Sequence, residues 1–67
     1  MEKLTILDRA QVTKRTSLKR DSIDNLARAG KFPKPIRLAS RRIGWVEAEV
    51  EQWIVERIKA SREKAAA

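Results

Sequence analysis

The residues best placed to do chemistry in this chain are cations. Between positions 14 and 42 stand ten basic residues: Lys14, Arg15, Lys19, Arg20, Arg28, Lys31, Lys34, Arg37, Arg41 and Arg42. Only Asp21 and Asp24 oppose them, so the segment carries 10 − 2 = +8. Residues 1–13 are neutral and residues 43–67 carry 4 − 5 = −1, within a whole-chain charge of +7 over 67 residues. An excess confined to one segment predicts a face that meets a polyanion. Ammonium and guanidinium groups neutralise backbone phosphates, and an arginine can read a guanine edge with two hydrogen bonds.

Other chemistries find little support. The chain has neither cysteine nor histidine, and so lacks the commonest metal ligands and the commonest general base. Glu47, Glu49 and Glu51 are spaced by two and cannot converge on one side of a helix. No nucleophile–base pair, metal-binding cluster or glycine-rich phosphate loop stands out, and there are two glycines in all. A chain this short forms one domain with a thin core. Such a core does not also enclose a substrate pocket of roughly 300 Å³. The expectation is a protein that is not an enzyme and uses no cofactor, metal or small-molecule substrate. No apolar run approaches the roughly 20 residues that span a bilayer, and no signal-peptide core opens the chain. With cysteine absent, these features point to the cytoplasm and, given the basic segment, to the nucleoid.

The elements that must position the cations follow from pattern. Residues 3–7 form a short extended lead-in. Asp8 has the position of an N-cap, with Gln11 at capping-box spacing. A first helix over residues 9–14 follows, with Ala10 and Val12 as its inward candidates, and Thr16-Ser17 ends it. Leu18 plugs a turn. A second helix over residues 20–29 aligns Ile23, Leu26 and Ala27 on one face, and Gly30 supplies the C′ position. Lys31-Phe32-Pro33-Lys34-Pro35 is excluded from helix by its prolines. Residues 36–38 and 43–45 alternate as strands, predicting a hairpin with Ile36, Leu38, Ile43 and Trp45 on the buried face, Arg37 outward, and a basic tip at Ala39-Ser40-Arg41-Arg42. A third helix carries Val46, Val50, Trp53, Ile54 and Ile58 as an apolar stripe. The stripe stops beyond about Ala60, and residues 61–67 form a tail that frays as helix or is disordered. Phe32, Trp45 and Trp53 all fall at inward positions and are core residues rather than stacking platforms for bases. Two helices joined by a short plugged turn, then a basic hairpin, make a winged helix-turn-helix: mainly α, three helices plus a two-stranded wing, within residues 1–60.

The run from Leu7 to Ile58 resembles the AlpA family of small prophage and genomic-island regulators, relatives of phage excisionases. Gly30-Lys31-Phe32-Pro33-Lys34-Pro35, Ile36-Arg37-Leu38, and Gly44-Trp45 followed by an acidic helix with Val50 and Trp53-Ile54 carry the resemblance. It implies a MerR-like, excisionase-like domain that binds double-stranded DNA. Recognition would lie on the second helix at Arg20, Asp21, Ser22, Asp24 and Asn25, and wing contacts at Arg41 and Arg42. The chain departs from the family where Lys19 replaces a serine cap, where Asp21, Asp24 and Asn25 replace small hydroxyl, aromatic and basic residues, and where Ala39-Ser40 replaces glycines. Combining residue type with resemblance, the DNA-binding set is Lys14, Arg15, Lys19, Arg20, Ser22, Asn25, Lys31, Lys34, Arg37, Arg41 and Arg42. Transcriptional regulator is the favoured role. The alternatives are an excision factor that bends attachment-site DNA and a module whose basic face meets an acidic protein, and self-association on DNA is open to either DNA-binding role.

Overall fold

A computed structural model describes the backbone of residues 4–66; Lys3 of the lead-in and Ala67 lie outside the described residues. The order of elements is β1 (Ile6–Leu7), α1 (Arg9–Thr16), α2 (Arg20–Arg28), β2 (Ile36–Ala39), β3 (Arg42–Val46) and α3 (Glu47–Ala66). The architecture is a winged helix-turn-helix whose lead-in is itself a strand. β1 pairs antiparallel with β3, giving a three-stranded sheet in the order β1-β3-β2.

Local chemistry explains the helix ends. The Gln11 amide donates to the Asp8 carboxylate at 2.8 Å and the Asp8 amide donates to Gln11 Oε1 at 2.9 Å, completing the expected capping box. α1 closes at Ser17, a left-handed residue (φ 62°) whose amide donates to the Thr13 carbonyl. α2 closes with a Schellman motif. Gly30 (φ +76°) donates to the Ala27 carbonyl at 3.1 Å and Lys31 to the Leu26 carbonyl at 2.8 Å. The Glu47 amide donates to the Thr5 carbonyl at 2.8 Å, tying the first turn of α3 to β1.

The buried core is Leu7, Val12, Ile23, Phe32, Trp45 and Val50, one residue from every element except β2, plus Phe32 from the linker. Burying each is worth about 1.5–3 kcal/mol. Leu18, Leu26, Ala27, Trp53 and Ile54 pack around it. Ala10, expected inward, is exposed. It lies two residues from Val12, about half a helical turn round, so the two cannot share an inward face.

The hairpin departs from expectation in its faces. Its register sets Ile36 opposite Gly44 and Arg37 opposite Ile43. Residues that face each other across an antiparallel pair lie on the same side of the sheet. Ile43, Trp45 and Arg37 therefore share one face, and Ile36 shares the other with Gly44. Leu38 lies against Gly44 as well. Only Trp45 of the four expected core residues is buried, while Ile36, Leu38 and Ile43 are 39%, 49% and 40% exposed. Every residue of β2 is exposed, so alternation in the wing does not report burial. α3 continues as helix past the end of its apolar stripe, to Ala66.

Candidate nucleic-acid interface

The turn of the helix-turn-helix is Ser17-Leu18-Lys19, which sends α2 off at once from the end of α1. Lys19 is the N-cap of α2 and has extended backbone, but its side chain makes no capping hydrogen bond. The first amides of α2 lack the side-chain acceptor that a serine would supply. A helix start without a side-chain cap, carrying Lys19 and Arg20, is electrostatically suited to a phosphate oxygen.

Two tryptophans fix α2 relative to the wing. Trp45, in β3, donates from Nε1 to the Pro33 carbonyl at 3.1 Å. Trp53, in α3, donates from Nε1 to the Lys31 carbonyl at 2.7 Å. Phe32 is buried between these anchors, with its ring edge-on to Trp53 at 4.8 Å between centroids and 67° between planes. The linker from α2 to β2 is thus pinned at both ends of Lys31-Phe32-Pro33, and its prolines stiffen the remainder. The chain can then present Lys31 and Lys34, both exposed, along one rigid path from α2 to the wing.

On α2, Ile23, Leu26 and Ala27 turn inward. The opposite stripe is Asp21, Asn25 and Arg28, at i, i+4 and i+7, and all three are exposed. Arg28 Nη1 lies 3.5 Å from Asn25 Oδ1. Arg28, which is not in the DNA-binding set read from the sequence, lies on this stripe at the C-terminal end of α2. A helical wheel drawn from Ile23 would have shown it. Ser22 is exposed on the flank of the same face.

The two aspartates of α2 are not equivalent. Asp24 receives Arg9 Nη1 from α1 at 2.6 Å. That hydrogen bond, more than the charges of Arg9, Arg20 and Arg28, holds its carboxyl below the usual range despite some desolvation. Arg9 also lies over the Trp45 ring at 5.4 Å, so one guanidinium joins α1, α2 and the sheet. Asp21 has no cation within ion-pair distance among the described residues.

The remaining cations divide by partner. Arg15 is drawn to α3, with Nη1 2.6 Å from Glu47 and 3.3 Å from Glu51. Among the described residues, Lys14, Lys19, Arg20, Arg28, Lys31, Lys34, Arg37, Arg41 and Arg42 have no carboxylate partner, and all are exposed. Arg41 lies in the two-residue loop of the hairpin and Arg42 opens β3 opposite Ala39. Neither Ser40 nor Arg41 has positive φ, so the loop is not the type I′ or II′ turn that such hairpins favour. The register shifts between Arg37 and Ala39 next to it. No cluster of three or more acidic residues able to hold a metal occurs among the described residues. No helix of the described residues is long and apolar enough to cross a membrane.

No curated protein sequence matches the chain. One family profile does, that of the prophage CP4-57 regulatory protein (AlpA), over residues 5–58, from the first residue before β1 to the apolar stripe of α3. With a three-helix domain, a small hairpin wing and a match over most of its length, the chain belongs to the AlpA family of small phage-type, DNA-binding regulatory proteins.

Proposed function

We propose that this protein binds double-stranded DNA sequence-specifically as a transcriptional regulator, with α2 in the major groove and the wing on the backbone or minor groove. The observation that carries this reading is the set of exposed cations without carboxylate partners along α2, the pinned linker and the hairpin loop. Structural ion pairing does not explain these cations, and phosphates would. Asn25 and Arg28 share the exposed stripe of α2, where asparagine suits adenine and arginine suits guanine, while Arg20 in the first turn holds a phosphate or reads a guanine edge. Arg41 and Arg42 hold the wing to the backbone or the minor groove. Lys14, Lys19, Lys31 and Lys34 hold flanking phosphates. Arg15 serves the fold through Glu47 and Glu51 rather than the DNA. The regulatory role is preferred to an excision role because the matching family is described as regulatory. The nucleoid is the place of action.

Charge reversal at the wing tests this reading. The double variant R41E/R42E, on exposed positions, keeps its fold by circular dichroism. Its affinity for duplex DNA, measured by fluorescence anisotropy, falls roughly tenfold to a hundredfold. Unchanged affinity would mean that the wing does not touch DNA, and the basic face would then belong to an acidic protein partner.

A further inference from the structure

α3 presents two stripes, and the fold uses one of them. Val50 is buried and Trp53 and Ile54 are half-buried against the body. Roughly a third of a turn away lies a second stripe of Glu51, Val55, Ile58 and Arg62, at i, i+4, i+7 and i+11. All four are exposed, Val55 and Ile58 each at 44%. Single apolar residues on a surface need no explanation. These two are stacked one turn apart and bracketed by opposite charges, with an acid one turn before and a base one turn after.

That order is its own complement when read backwards. A two-fold axis crossing α3 between residues 56 and 57 sets Val55 of one copy opposite Ile58 of the other. The same axis sets Glu51 opposite Arg62, at both ends of the contact, as an isologous interface requires. We propose that two copies of this chain pair through α3, antiparallel, with Val55 and Ile58 interleaved and Glu51–Arg62 ion pairs closing each end.

Charge favours this surface over every other. The chain carries +7, and two copies repel. Residues 43–67, with four basic and five acidic side chains, come to −1, so here the copies approach against least resistance. Both charged partners are available. Arg62 has no carboxylate partner among the described residues. Glu51 makes only the longer of the two Arg15 contacts, 3.3 Å against 2.6 Å for Glu47, so Arg15 stays held when Glu51 turns outward. The matched stretch from residue 51 to 62 is about 16 Å long at 1.5 Å per residue. A strip that long and about 10 Å wide covers on the order of 160 Å² per copy, far short of the roughly 1,200 Å² of a stable interface. The free protein therefore associates weakly, and two copies held side by side on one duplex associate far better.

The pairing does not depend on how DNA is read, and its test uses the intact protein without DNA. Sedimentation equilibrium of the wild type shows the mass rising from monomer toward dimer between about 10 µM and about 1 mM. E51R and R62E, each confirmed as folded by thermal melting, remain monomeric over that range. An equimolar mixture of the two regains the dimer, because each E51R copy offers two cations to the two carboxylates of an R62E copy. V55K, a surface change clear of the Arg15 cluster, also abolishes association. A wild type monomeric at about 1 mM overturns the proposal. So does an association that E51R and R62E leave unchanged, or a mixture no more associated than its components.

Discussion

Asp21 and Asp24 lie three residues apart on α2, yet they would act differently on a phosphate backbone. Asp24 is engaged by Arg9, so its charge is matched inside the protein. Asp21 lies on the exposed face with Asn25 and Arg28 and has no such partner among the described residues. Asp21→Asn should raise affinity for non-specific duplex roughly threefold to tenfold in an anisotropy titration, by removing one repulsive charge. The same change should lower stability by about 0.3–1 kcal/mol in urea melts, because an acid in the first turn of a helix favours its dipole. If D21N binds no better, Asp21 faces away from the DNA or accepts a hydrogen bond from a base. Gly44 is constrained by packing rather than by backbone dihedral. A Cβ there would overlap Ile6 Cγ2 and come within 3.1 Å of Leu38 Cδ1 and 3.2 Å of the Leu7 carbonyl. Gly44→Ala should cost about 1–3 kcal/mol, read as a lower urea midpoint at unchanged slope. The sequence shows Gly44-Trp45 as a motif but not this reason for it, since the close approach arises from β1 pairing with β3.

At the scale of elements, the caps, the plugged turn and the glycine stop of α2 were legible because each depends on residues three to five positions apart. Asp8 with Gln11 and Gly30 after Ala29 needed no tertiary information. The sheet faces were not legible, because the register that sets Arg37 opposite Ile43 is fixed by a turn without positive φ and an irregularity beside it. The third strand was missed because two residues of β1 show no alternation until β3 lies beside them. Of the candidate site, the positions of Arg41 and Arg42 at the hairpin tip and of Lys19 and Arg20 at the start of α2 could be read. The ion pairs of Arg15 with Glu47 and of Asp24 with Arg9 could not, since each joins elements distant in sequence. The start of α2 gives the element-scale prediction. Lys19→Ser supplies the missing cap and should stabilise the fold by about 1 kcal/mol in thermal melts. On the proposed reading it also removes a phosphate contact, and so should make the slope of log K against log salt shallower by about 1. A stabilised variant with an unchanged slope would remove Lys19 from the interface.

For the whole molecule, a core of six buried side chains supports a surface given over to charge. Trp45 and Trp53 tie down the linker between α2 and the wing, each through an indole hydrogen bond to a linker carbonyl. On the proposed reading, a domain so arranged gains affinity from phosphates and specificity from a few side chains on α2. The most direct test is anisotropy across a salt series, on random duplex and on the DNA upstream of the protein's own gene. Four to seven phosphate contacts at about −0.9 each predict a slope of log K against log salt of roughly −4 to −6, with tighter binding to the upstream DNA. A slope near zero, or no binding at low salt, would contradict a DNA-binding role for the basic face.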